Sequence, residues 1–185
     1  MQNDGPFKDP TLDELPDRLA IDDLLTRYTI AVDDENFELL DTVFTPDAIL
    51  DYTSAGGPRA PYPEVREWLR KALAASGAAR QHLIANKLVK LNGDTATVRA
   101  YFFNPNTMAR PENSSFSSAF DGPYLYSLGG GYYNHKLRRT PNGWRSIELF
   151  ELRVWRQGYP PRPHPHSARS TEEWDFGAPP RPRKI

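Results

Sequence analysis

Apolar side chains return at helical spacing in LPDRLAIDDLLTRYTIAVDD, residues 15–34. Leu19, Leu24, Tyr28 and Val32 form a stripe, with Ile21 and Leu25 flanking it and charged residues filling most other positions. The pattern predicts an amphipathic helix. NFELLDTVF fits a second, short helix that Pro46 ends, and AILDYT, 48–53, fits a short strand closed by the loop SAGGPRAPYP. Pro63 then opens a third helix at its favoured first position. Val65, Trp68, Leu69 and Leu73 share one face of it, and Gly77 is its stop.

From Arg80 the period changes to two. QHLIANKLVKL and TATVRAYFF flank the hairpin signal NGD, and GPYLYSLGGGYYNHKLRR and WRSIELFELRVWR flank the turn TPNG. Three helices and a strand followed by a four-strand meander predict an α+β fold, with the helices on one face of a curved sheet. Glycines 129–131 fall in mid-strand, where they weaken the strand unless they make a bend or bulge. A sheet that curves around a cavity needs such a device. Residues 1–14 are polar and read as an arm, 15–157 as one domain, and 158–185 as a Pro/Arg-rich tail with a capping box of Ser170 and Glu173.

Composition narrows the function. The 185 residues suffice for one domain that encloses a core and a small-molecule cavity. Basic and acidic residues number 23 and 24, for a net charge of -1, so the strong basic field used to bind nucleic acid is missing. No apolar run is long enough to span a membrane, and MQNDGPFKDP lacks the regions of a secretory signal, so a cytoplasmic location is expected. The glycosylation pattern at Asn113 carries little weight without such a signal. The absence of cysteine excludes disulfides, thiolate metal sites and cysteine nucleophiles.

Candidate chemistry then reduces to a few side chains. A tyrosine on the apolar stripe, such as Tyr28, is ordinarily core, and aspartates at a helix end, such as Asp33 and Asp34, ordinarily cap the next helix. Strand alternation puts His82, Ile84, Asn86 and Leu88 on one face and Leu83, Ala85, Val89 and Leu91 on the other. A lone histidine in a strand is more often structural than catalytic, although imidazole suits proton exchange near neutrality. A carboxylate on its second nitrogen would fix the tautomer, and Asp33 is the one to look for. His135 could line the same cavity, but its place toward the outer end of its strand favours a surface role, and His164 and His166 lack a third ligand of matched spacing for a metal. Tyr52, Tyr62, Trp68, Tyr101, Phe102, Phe103, Tyr124, Tyr126, Tyr132 and Tyr133 could together wall a pocket for a flat apolar or phenolic ligand.

Taken together, LLTRYTIAVDDENFELLDTVFTPDAILDY, RQHLIAN and YYNHKLRRTPNGWRSIELFELRVW resemble the SnoaL-like members of the nuclear-transport-factor-like superfamily. Scytalone dehydratase and its hexachlorocyclohexane dehydrochlorinase and bile-acid dehydratase relatives are the nearest in kind. The resemblance covers about residues 15–157. It implies a cone-shaped half-barrel, three N-terminal helices on a curved mixed sheet, with the pocket inside the cone. It places the family's helix-end aspartate on Asp33, its strand histidine on His82, and its two tyrosines on Tyr28 and Tyr52. Where relatives carry a second histidine or an aspartate, FFNPNT offers only Asn104 or Asn106, and the asparagine of the next strand is replaced by Tyr133.

The expected function is a lyase without a cofactor or metal, eliminating water or another small group from a small cyclic, aromatic or phenolic substrate. His82 would be the base, Asp33 its orienter, and Tyr28 and Tyr52 the oxyanion stabilisers. Asn104, Asn106, Tyr133, Trp68 and Phe102 would contact substrate. An isomerase or cyclase using the same base, or a non-catalytic binding domain, are the alternatives. No nucleic acid or membrane partner is expected, while the resemblance implies a homo-oligomer, dimer or trimer.

Overall fold

A computed structural model describes residues 9–110 and 123–158. The expectations for most of the N-terminal arm, for Asn113, for His164 and His166 and for the tail from residue 159 lie outside the described residues.

Helix α1, Leu15–Asp33, starts with a proline in its first turn and buries Ile21, Leu24, Leu25, Tyr28, Ala31 and Val32. Leu19, expected on this stripe, is 68 % exposed. At 100° per residue it lies about 200° from Ile21, so the buried face begins at Ile21 and turns Leu19 outward. The expected second helix is a 3-10 segment, Phe37–Thr42, capped by Asn36, whose side chain accepts from Leu39 N–H at 3.4 Å. That cap leaves Asp33 and Asp34 without the ordinary task a helix-end aspartate performs. Helix α2, Tyr62–Ser76, buries Val65 and Leu69 and stops at Gly77, whose φ of 53° lies in the left-handed region.

Among the described residues seven strands form one open sheet: β1 Phe44–Asp51, β2 Arg59–Pro61, β3 Ala79–Arg80, β4 Leu83–Asn92, β5 Thr95–Ala109, β6 Tyr124–Thr140 and β7 Gly143–Gly158. Their order is β2-β1-β7-β6-β5-β3, with β4 also paired to β5. The sheet is mixed because β1 runs parallel to β7 while the other pairs are antiparallel. β1 begins earlier than expected and contains Pro46, which is tolerated because the pairing with β7 is irregular between Phe44 and Ile49. α1 packs on β7 and β4, and α2 on β1. The core lies between these helices and the concave face, where Val98, Ala100, Leu137 and Leu149 meet Leu24, Leu25 and Tyr28.

Bulges bend the sheet and reset which side chains face inward. In β4 the register shifts between Ala85 and Leu88, and Asn86 has φ 45°. Ile84 is core-facing before the shift, and Val89 and Leu91 are core-facing after it, so uninterrupted alternation along this strand does not hold. β7 carries two such shifts against β6, one placing Ile147 between Ser146 and Glu148, the other placing Val154 between Arg153 and Trp155. The second lies opposite Gly130 and Gly131. A Cβ at Gly131 would come within 2.0 Å of the Leu152 carbonyl oxygen, so only glycine lets the bulged strand approach. The mid-strand glycines are thus the bending device their position suggested.

Candidate active site

Asp33 ends α1, and His82 occupies the short gap between β3 and β4. One Asp33 oxygen accepts from the His82 backbone N–H at 2.8 Å, and the other lies 2.5 Å from His82 Nδ1. A carboxylate only accepts, so Nδ1 is the donor, and in the neutral tautomer this leaves the lone pair on Nε2. A carboxylate at a helix C-terminus meets the negative end of the dipole. The two donors from His82 offset that cost and make Asp33 a grip on one residue.

The gap is held from the other side by β5. Gln81 N–H donates to the Pro105 carbonyl at 3.2 Å, and the Asn104 amide donates to the Gln81 carbonyl at 3.1 Å. Asn106 in turn donates to Asn104 Oδ1 at 2.5 Å. Asn104 and Asn106 both border the cavity, but their amides are engaged with each other and with the chain beside His82.

His82 lines a cavity of about 530 Å³ between the helices and the concave sheet. Tyr28, Tyr52, Trp68, Phe102, Asn104, Asn106 and Tyr133 line it as well, so eight of the nine expected site residues border one space. The ninth, Asp33, stands behind His82 in a separate surface depression with Asp34 and Gln81. Tyr62, Tyr101, Phe103, Tyr124, Tyr126 and Tyr132, expected among the cavity's aromatics, do not line it, and four of these, Tyr101, Phe103, Tyr124 and Tyr126, are exposed. Tyr133 stacks on Phe102 at 4.5 Å and approaches Tyr28 edge-on at 5.1 Å, with the His82 ring 6.4 Å away. Trp68 packs against Tyr52 at 5.6 Å.

Tyr28 and Tyr52 share a hydrogen bond of 2.5 Å between their hydroxyls. Both are buried, and burial raises both phenols, and that of Tyr133, well above their ordinary value. They therefore stay protonated. Tyr28 is also hydrogen-bonded to Tyr133, so the three phenols form one cluster whose two hydrogen bonds use two of its three protons, which leaves one O–H to donate toward bound oxygen.

Glu151 was not anticipated in this wall, and His135, behind it, was expected at the surface. Glu151 on β7 is 3 % exposed and lines the cavity, with Arg153 donating to its Oε1 at 3.1 Å. Burial raises its carboxyl above the ordinary range although Arg153 pulls the other way. Simple alternation from Trp144 puts residues 146, 148 and 150 inward, and the bulge at Ile147 moves the inward set to 149, 151 and 153. A glutamate inside the apolar run IELFELRVW was the available signal. His135 corrects the surface expectation, because it is fully buried against Tyr28 and Phe44. Ser146 donates to the Glu148 carbonyl and so accepts from His135 Nδ1 at 3.0 Å. Nε2 is then a buried lone pair with no partner among the described residues, and burial lowers this imidazole to about 3.

Residues 13–149 match the family described as SnoaL-like domain. An uncharacterized protein of Mycobacterium tuberculosis is 35 % identical over 144 residues, covering 78 % of this chain and 90 % of that one. A crystal structure of a Kribbella flavida protein superposes with a TM-score of 0.65 at 26 % identity, covering 78 % of this chain and 95 % of that chain. A hexachlorocyclohexane dehydrochlorinase of Novosphingobium barchaimii shares the fold with a TM-score of 0.64 at 18 % identity, covering 82 % and 95 %. With a helix-end aspartate, a gap histidine and a tyrosine-walled cone all set inside the matched stretch, the chain belongs to the SnoaL-like domain family.

Proposed function

We propose that the protein is a lyase that removes water, or another small leaving group, from a small cyclic or aromatic carbonyl compound by acid–base chemistry of its own side chains. The observation that carries this is the two-point hold of Asp33 on His82 at the wall of an aromatic cavity. His82 Nε2 takes the proton α to the carbonyl, and Asp33 stabilises the resulting imidazolium. The remaining O–H of the Tyr28, Tyr52 and Tyr133 cluster donates to the developing enolate oxygen. Trp68, Phe102 and Tyr133 supply flat apolar walls for a ring. The shared fold of a hexachlorocyclohexane dehydrochlorinase supports elimination as a reaction this scaffold can host.

The test is turnover of a panel of cyclic β-hydroxyketones, followed by product mass. His82→Ala is expected to lower the rate by about 10²–10⁴-fold, the usual worth of a positioned base, and Asp33→Asn by a large part of that. Full activity in both variants would overturn the mechanism. A product of unchanged mass would instead mark an isomerase using the same base.

A further inference from the structure

We propose that Glu151 is the acid that delivers a proton to the leaving hydroxyl, an inference that rests on the elimination reading above. Glu151 is the direct cross-strand partner of Tyr133, so the two side chains stand on the same face of the sheet. That face is the cavity wall, and both residues line it. The backbone around Glu151 is pinned. Ser54 Oγ donates to its carbonyl at 2.8 Å and accepts from Arg153 N–H at 3.0 Å. Arg153 Nη2 holds Oε1 at 3.1 Å, which leaves Oε2 as the oxygen to carry a proton. The base stands in the β3–β4 gap and the acid on β7, both on the wall of one cavity.

The groups around this carboxyl are Arg153 on its own strand, Tyr133 on β6, His82 in the gap, Tyr28 on α1, and Asp51 and Tyr52 at the end of β1. Arg153 favours the carboxylate, as His82 does once it carries a second proton, Asp51 disfavours it, and burial outweighs them toward the neutral acid. FFNPNT supplies only amides, already engaged near His82, so no other carboxyl group lines the cavity among the described residues.

The step balances without an oxidant. His82 Nε2 takes the α-proton, and the C–H electron pair forms the new C=C by way of the enolate. The C–O bond breaks with its pair on oxygen, the Glu151 proton joins that oxygen, and water leaves. Return of one proton from the His82 imidazolium to the Glu151 carboxylate through solvent restores both groups. A halide leaving group needs no such proton, so the role of Glu151 is specific to loss of water.

Two probe ketones separate the steps. The α-hydrogen exchange of α-tetralone in heavy water reads proton abstraction alone, and conversion of its β-hydroxy derivative to naphthol reads the whole elimination. Glu151→Gln is expected to keep exchange within a few-fold and to lose about 10²-fold or more of the dehydration, with Glu151→Asp recovering part of it. Dehydration undiminished in folded Glu151→Gln, or exchange lost together with dehydration, would overturn the acid role. His82→Ala retaining exchange would instead overturn the base assignment, whatever Glu151 does. If the unaltered protein acts on neither ketone, infrared difference spectra against Glu151→Gln decide. A protonated carboxyl band at neutral pH supports the acid, and carboxylate bands alone would identify a structural ion pair with Arg153 and sink the proposal.

Discussion

Asn104 illustrates how a residue beside the chemistry acts through its neighbour. Its amide holds the Gln81 carbonyl, one residue before His82, and receives the Asn106 amide on its own oxygen. Asn104→Leu takes the donor from the Gln81 carbonyl and leaves the Asn106 amide only the backbone carbonyl of residue 104, which costs about 1–3 kcal/mol of stability by the desolvation of buried polar atoms. The imidazole is then less firmly aimed. Turnover on a β-hydroxyketone is therefore expected to show a fall in kcat larger than the change in KM, measured with denaturant unfolding on the same variant. Equal kcat in the variant would confine Asn104 to stability.

At the scale of elements, the bulge of β7 across the β6 glycines decides what faces the cavity. Glu151 and Arg153 face inward before Val154, and Arg156 lines the cavity after it. The shift is possible because Gly131 lets the Leu152 carbonyl come close. Gly131→Ala places a methyl group against backbone rather than against a side-chain end, so the strands must part. We expect a loss of about 1–3 kcal/mol, the usual range for overpacking, read as a lower denaturation midpoint. The lining beyond Arg153 moves with it, so ligand affinity falls too. An alanine variant of unchanged stability would mean the strand can shift at little cost.

For the whole molecule, the buried His135 links stability to acidity. Its imidazole is lowered to about 3 in the folded chain, by burial, against about 6.5 when exposed. Because the folded value is depressed, the unfolded chain binds the proton first as pH falls. The contribution is complete above about pH 6.5 and is lost progressively toward pH 3. Asp17, lowered by its hydrogen bond with Arg139, loses its contribution in the same direction, below the ordinary carboxylate range. Glu151, raised by burial, works in the opposite sense and offsets part of the loss. Thermal denaturation between pH 7 and pH 4 is expected to fall less steeply in His135→Gln than in the unaltered chain. Parallel slopes would exclude His135 as a source of the acid sensitivity.

Periodicity in the sequence determined the two helices, the strand pairs and the hairpin turns. Spacing set Tyr28 and Asp33 on a helix and His82 beside a strand, because such spacing is a local property of the chain, and the resemblance to SnoaL-like proteins is what joined these three and Tyr52 into one expected site. Three matters were settled only by tertiary structure. Whether Asp33 is a cap or a partner of His82 depended on which side chain capped the next turn, and Asn36 does so. Whether His135 is exposed depended on α1 and β1 covering it. Glu151 was hidden most thoroughly. Its inward orientation follows from an added residue at position 147, and pairing between strands, rather than alternation along one of them, determines where such a residue is accommodated.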